Sequence, residues 1–213
     1  MRIKWLGHAC FMVTSDTGTK IITDPYVTGG DLSYGEIRES ADIVTVSHEH
    51  GDHNNVAAVR GNPEVVRGMV KVKGIEFKGI PCYHDDAEGK LRGKNTILCF
   101  EVDGITICHL GDLGHQLSAQ QVDELGKIDI LLIPVGGFYT IDAKVASKIC
   151  DRLTPRVIIP MHYKNDRCGF PIAGVDEFLR GKKGVSRLDT SEVEFKSGEL
   201  PVNTQIIVLK PAL

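Results

Sequence analysis

The stretch Ser47-His48-Glu49-His50-Gly51-Asp52-His53 concentrates more potential chemistry than any other part of the chain. His48, His50, Asp52 and His53 put three imidazoles and an aspartate within six positions, a dense set of ligands suited to zinc and similar ions. The competing reading is a polar surface loop. Clustered imidazoles gain little from proximity unless a cation holds them, and such a pattern arises by chance in roughly one sequence per thousand. Gly51 is expected to let a tight loop turn its ligands inward.

These side chains need an element to position them. The motif follows the apolar run Ile43–Val46, so it should sit in a loop at the end of a buried strand. Upstream, Ile3–Leu6, Cys10–Val13 and Lys20–Thr23 read as three strands joined by tight turns, with Asp16-Thr17-Gly18 marking one of them. Downstream, β-like runs occur at Val70–Val72, Ile75–Ile80, Thr96–Val102 and Ile105–Cys108. Asp103-Gly104 between the last two is a hairpin signal, because that dipeptide suits a two-residue turn with positive φ.

The pattern then changes. Ser118–Leu125 reads as a helix, and Ile130–Ile133 as an apolar strand ended by Pro134 and Gly136-Gly137. Asp142–Leu153 reads as a helix with an Asp cap, followed by the strand Val157–Ile159 and Pro160. A short helix near Val175–Leu179 and two or three closing strands complete the chain. A β meander followed by alternating strand and helix is satisfied by two β-sheets flanked by helices. Neither linker, low-complexity segment nor solenoid repeat interrupts the chain, so residues 1–213 are expected to form one domain. A Rossmann-like sheet would want a Gly-rich strand-to-helix turn near the start, and Gly29-Gly30 has the wrong context.

Composition narrows the function classes. Hydrophobic residues make up 42% and charged residues 25% of the 213, an ordinary balance for a soluble globular protein. The net charge of −3 gives no electrostatic reason to expect nucleic acid as a partner. Without a run of about 18 apolar residues, no membrane-spanning helix is expected. The opening MRIKWLGHACFMV reads as a first strand rather than a signal peptide. Cys10, Cys82, Cys99, Cys108, Cys150 and Cys168 form no C-x-x-C pair and read as reduced thiols in a cytoplasmic protein. Nothing in the sequence bears on oligomeric state.

The motif H-x-H-x-D-H after a buried strand resembles the signature of the metallo-β-lactamase fold superfamily. That family's pattern continues with a single His, an Asp in a Gly-Asp context after a hairpin, and a final His after another strand. His84 follows Ile75–Ile80, Asp112 lies in His109-Leu110-Gly111-Asp112 after Ile105–Cys108, and His162 follows Val157–Pro160. Taken alone, His84 would be an ordinary surface histidine and His162 a strand-end one. Order, spacing and placement agree over nearly the whole chain.

The resemblance implies a four-layer αββα sandwich. It also implies that His48, His50 and His84 hold one metal, that Asp52, His53 and His162 hold a second, and that Asp112 bridges the two. Two divalent ions about 3.5–4 Å apart can share a water and lower its pKa towards neutrality. Asp52, a ligand beside that water, is the natural acceptor for its proton. Zinc is the first expectation, with manganese and iron also tolerated by such a donor set. Asp85 and Asp86, next to His84, are expected to be solvated, with orienting a ligand as the alternative role for either.

Further segments resemble one branch of the superfamily, the small proteins similar to L-ascorbate-6-phosphate lactonase. They are Gly7-His8-Ala9-Cys10-Phe11, Thr23-Asp24-Pro25, the Pro-x-Gly-Gly of Pro134–Gly137, and Pro160-Met161-His162-Tyr163. This implies that His8 and Asp24 lie near the metals and orient ligands. Read by itself, Asp24 only caps a turn before Pro25, and both readings stand. His109 is either a donor to a substrate or to Asp112, or a half-buried hairpin residue. His115 has no assigned role. Tyr163 is a candidate for contacting a substrate oxygen, with packing at the strand end as its alternative. The loop Pro25–Gly35 could form one wall of the pocket.

The function expected is a metal-dependent hydrolase. A metal-bound hydroxide would attack an ester, lactone, amide or phosphoester of a small molecule, with the branch favouring a lactone or a phosphorylated compound. An oxidoreductase with iron is disfavoured, because the related diiron flavoproteins carry Glu where His50 stands, and 213 residues leave no room for a flavin domain. A nucleic-acid-processing hydrolase would carry an added domain or basic arm. A non-catalytic metal-binding protein would be expected to have lost a ligand, whereas every expected one is present.

Overall fold

Apolar side chains alternate between two destinations along the N-terminal strands, and this alternation sets the layers of the fold. The computed structural model describes residues 1–213. Strands β1 (Arg2–Gly7), β2 (Cys10–Thr14), β3 (Lys20–Thr23), β4 (Ser40–Thr45) and β5 (Arg60–Val66) join β13 (Glu192–Glu194) in a six-stranded sheet ordered β13-β1-β2-β3-β4-β5. Ile3, Trp5, Phe11, Val13, Ile21 and Ile43 enter a large core shared with the second sheet. Their neighbours Leu6, Cys10, Ile22 and Val44 enter a smaller cluster on the other face. Successive side chains of a strand point to opposite sides, so both faces of this sheet are covered.

The second sheet contains β6 (Val70–Val72), β7 (Ile75–Tyr83), β8 (Lys94–Val102), β9 (Ile105–His109), β10 (Ile130–Pro134), β11 (Val157–Met161), β12 (Val185–Arg187) and β14 (Gln205–Val208), ordered β12-β14-β11-β10-β9-β8-β7-β6. From β6 to β9 it is an antiparallel meander, and from β9 to β12 its neighbours are parallel. Every residue of β10 and β11 is buried, as central parallel strands require.

Helix α1 (Ala119–Leu125) starts in a capping box between Ser118 and Gln121, satisfying two of the amide groups a helix start leaves unpaired. Helix α2 (Ala143–Leu153) is capped by Asp142, which accepts from Val145 N. It buries Ala146, Ile149, Cys150 and Leu153 along one stripe. A short α3 (Val175–Leu179) packs against α2.

The two-sheet α/β sandwich is the architecture expected, with two differences. The three helices all come from the second half of the chain, and the outer face of the first sheet is covered by a loop carrying Tyr26, Leu32, Tyr34 and Ile37. Strand β5 was not legible in the sequence: it contains Gly61 and Pro63, buries only Val66, and lies at the sheet's edge, where Pro is tolerated. All six cysteines are buried and free. No helix is long and apolar enough to cross a membrane.

The topology brings several strand ends together. Residues 47–53 follow β4, His84 follows β7, Asp112 follows β9 and His162 follows β11, while His8 and Asp24 follow β1 and β3.

Candidate metal centre

Of the expected ligands, His48, His53, His84, Asp112 and His162 are buried, Asp52 is partly buried and His50 is exposed. His48, His50 and His84 each bring a donor atom within 4.8 Å of the others, and so do Asp52, His53 and His162 together with His8. Asp112 stands between the sets. Its Oδ2 is 3.0 Å from His84 Nε2 and 3.3 Å from His162 Nε2, and its Oδ1 is 3.2 Å from His53 Nε2. His48 Nε2 lies 3.1 Å from His50 Nδ1, and Asp52 Oδ2 lies 3.6 Å from His53 Nε2.

Hydrogen bonds on the far side of the rings decide which nitrogens face inward. Asp24 Oδ2 accepts from Ser47 Oγ at 2.6 Å and from His53 Nδ1 at 2.8 Å, and its Oδ1 accepts from Ser47 N at 2.8 Å. With its proton on Asp24, the Ser47 hydroxyl accepts from His48 Nδ1 at 3.0 Å. His84 Nδ1 donates to the carbonyl of Tyr139 at 3.1 Å. In all three rings Nδ1 carries the proton and Nε2 presents its lone pair to the cluster. Orienting a ligand through its second nitrogen is the arrangement metal-binding histidines use. Asp24 therefore does more than cap a turn before Pro25.

The turn holding Asp112 is tied down in the same manner. Asn95 Oδ1 accepts from Asp112 N at 3.0 Å, and Asn95 Nδ2 donates to Leu110 O at 2.9 Å. Gly111 has φ +54, and a Cβ there would come 2.4 Å from Asn95 Oδ1 and 2.5 Å from Ser47 Cβ. Only glycine fits this approach. His109 donates from Nε2 to Ala9 O at 2.8 Å and accepts from Gly111 N at Nδ1. Both its nitrogens are committed to backbone, so it fixes the turn rather than a substrate.

Burial pushes His48 down to about 3 and His8 down to about 4, leaving both rings neutral at pH 7. His53 goes the other way: burial lowers it, but the carboxylates of Asp112 and Asp52 more than offset this and raise its pKa well above the usual range. Burial would raise the Asp112 carboxyl, yet His162 and His53 hold it well below. Carboxylates that favour positive charge at this point favour a divalent cation there too. The residues fit such a group on a second count. His53 Nε2, Asp112 Oδ1 and both ring nitrogens of His162 are buried with no hydrogen-bond partner, a costly arrangement for polar atoms. Donors spaced at 3.0–3.6 Å match the ~3.3 Å separation of ligands lying about 2.0–2.1 Å from one tetrahedral ion.

Several sequence expectations are corrected. Tyr163 is buried with its ring packed on Trp5, centroids 5.3 Å apart, inside the main core, which favours the packing role over substrate contact. Asp85 is not solvated, since its carboxylate accepts from the amides of Ala87, Gly89, Leu91 and Arg92. Gly51 is not in the left-handed region; His8, Asp24 and His162 are, with φ of +53, +39 and +51. His115 accepts from Tyr83 N and donates to Gln116 O, ordering a loop. The 25–35 loop is pinned to the motif by Val27 N donating to Gly51 O at 3.0 Å.

Other contributors went unread in the sequence, because their partners are distant along the chain. Ser47 and Asn95 act through Asp24, His48 and Asp112. A cavity of about 450 Å³ beside His48 and His50 is lined by Arg67, Arg92 and Lys94. Arg67 is held by Glu49 at 2.9 Å, and Arg92 lies over the Tyr139 ring, 5.6 Å from its centroid.

Comparison with known proteins agrees with this geometry. The family profile described as the beta-lactamase superfamily domain matches residues 2–162. A UPF0173 metal-dependent hydrolase of Archaeoglobus fulgidus is 30% identical over 93% of this chain and 97% of its own length. Its counterpart in Thermococcus onnurineus is 30% identical over 76% of this chain and 84% of its own. A solved structure from Thermotoga maritima, named as a Zn-dependent hydrolase of the metallo-β-lactamase superfamily, is 40% identical with a TM-score of 0.80, covering 98% of this chain and 97% of that one. The chain belongs to the metallo-β-lactamase superfamily, among its metal-dependent hydrolases.

Proposed function

We propose that this protein hydrolyses an ester, lactone or phosphoester bond of a small molecule, using two divalent cations held on either side of Asp112. The observation that carries the reading is the pair of donor sets facing one another across that carboxylate. His48, His50 and His84 would hold one cation, and Asp52, His53 and His162 the other. Such cations would supply a water of near-neutral pKa and polarisation of the bond under attack. Zinc suits this mixture of imidazole and carboxylate best, with manganese or iron as substitutes.

The chain's own residues supply orientation and proton transfer. Asp24, Ser47 and the Tyr139 carbonyl fix His53, His48 and His84 so that Nε2 points inward. Asp52 retains 24% side-chain exposure, so it can reach both the cluster and an incoming water, whose proton it accepts. Arg67, Arg92 and Lys94 line the cavity next to His48 and His50 against the single carboxylate of Glu49, which pairs with Arg67, and this excess of cations favours a substrate with an anionic group. This agrees with the resemblance to proteins similar to L-ascorbate-6-phosphate lactonase. The size of the cavity, about 450 Å³, supports a small molecule as the substrate.

The test is a panel of lactones, phosphomonoesters, phosphodiesters and neutral esters, offered to protein reloaded with zinc or manganese. Turnover is expected with at least one anionic class, falling more than about 100-fold in His50→Ala. If the reloaded protein is no faster than His50→Ala on every compound, the reading is wrong.

A further inference from the structure

The resemblance gives the buried imidazole of His8, beside the centre, only an orienting role. His8 sits in a left-handed turn with φ +53, a region where side chains other than glycine are strained, and such strain concentrates at functional sites. The preceding Gly7 has φ +148 and lies under Tyr34, whose Cδ1 would be 2.5 Å from an added Cβ. Trp5 Nε1 donates to the His8 carbonyl at 3.0 Å. His162 N donates to the same oxygen at 3.3 Å. The chain thus uses two strand ends, a glycine and a tryptophan to hold this ring in place.

The ring is fully buried, and its Nδ1 has no hydrogen-bond partner. Its Nε2 is 3.3 Å from Asp52 Oδ2. The two atoms are within hydrogen-bond reach of one another, and their spacing is also close to the ~3.3 Å between two ligands of one zinc ion. The ring centroid is 4.1 Å from that of His162 and 5.3 Å from that of His53. His8, Asp52, His53 and His162 offer four donors within 4.8 Å of one another.

We infer that His8 is itself a ligand of the buried cation, completing its coordination with Asp52, His53, His162 and the shared Asp112. This inference rests on the two-cation reading above. It makes the two positions unequal. The buried position is closed by protein side chains, whereas the one at His48, His50 and His84 keeps a place open on the side where His50 meets solvent. Catalytic zinc sites keep such an open place, and structural ones do not. Substrate is therefore bound at the outer position.

The experiment is a crystal structure of the wild-type protein grown with zinc, with anomalous data at the zinc edge. The expected result is two ions, with a His8 nitrogen about 2.0–2.1 Å from the inner one. Two ions with His8 more than about 3 Å from both, beyond any coordination bond, would overturn the inference and leave the two-cation reading standing. An absence of ions at both donor sets would overturn that reading as well. A second measurement uses His8→Cys titrated with cobalt(II). Direct coordination adds a thiolate-to-cobalt charge-transfer band in the near ultraviolet that the wild type lacks. A folded variant that takes up cobalt without this band contradicts the inference.

Discussion

The outer donors and the inner donors meet at one carboxylate but are built differently. His48 and His84 are each steadied by a single hydrogen bond from Nδ1, to a serine hydroxyl and to a carbonyl, and exposed His50 reaches solvent. The inner set depends on buried charge and strained backbone. His53 is tied to the buried Asp24, and both His162 and Asp24 adopt positive φ. The contrast separates two tasks. In the proposed mechanism the inner half would hold a cation and the outer half would admit a substrate.

Removing the shared carboxylate should erase this contrast. Asp112→Ala is expected to weaken both cations and lower turnover by more than about 100-fold, since loss of a mere orienting partner already costs 10–100-fold. Retention of both cations at wild-type affinity would contradict the bridging role.

Asp24→Asn should instead sharpen the contrast. We expect the inner cation to weaken by about 10–100-fold, measured by competition with a chromophoric chelator. The outer cation, whose ligand His48 is tied to Asp24 through Ser47 rather than directly, should lose less. Equal losses at both positions would contradict the division.

A third prediction concerns the outer wall. Burial alone would raise the Asp85 carboxyl, but the amides of Arg92, Ala87, Gly89 and Leu91 outweigh it and lower its pKa to about 2. A carboxyl depressed on folding stabilises the native state fully above its unfolded value of about 3.9, and that contribution is lost as pH falls through the folded value. Asp85→Asn should therefore melt below wild type from neutral pH down to about 4, with the gap closing towards pH 2. A gap that widens in acid would contradict the assignment. The smallest effect is expected from Tyr163→Phe, which should leave turnover unchanged. A loss of about tenfold would place the hydroxyl at the substrate after all.

How much of this was legible in the sequence depends on how local each signal is. The 47–53 motif announces itself because its ligands are adjacent, and the helix caps at Ser118 and Asp142 were equally local. The alternating runs were local too, so most strands could be read within a residue or two. His84, Asp112 and His162 become visible only through a family pattern, since nothing in their immediate neighbours distinguishes a ligand from a surface histidine or a turn aspartate. Asp24 was ambiguous because its partner His53 lies 29 residues away, and its role appears only when β3 and β4 pair side by side. Tyr163 had two readings, substrate contact and packing, and its packing partner Trp5 lies at the far end of the chain, where no local signal could reveal it. The edge strand β5 was hidden by Gly61 and Pro63, which an interior strand would not carry.

The central claim is that the two donor sets hold two cations. Elemental analysis of the protein purified without chelator, repeated after saturation with zinc and desalting, tests it most directly. Two equivalents per chain are expected in the saturated sample. One equivalent after saturation, or none, would contradict it.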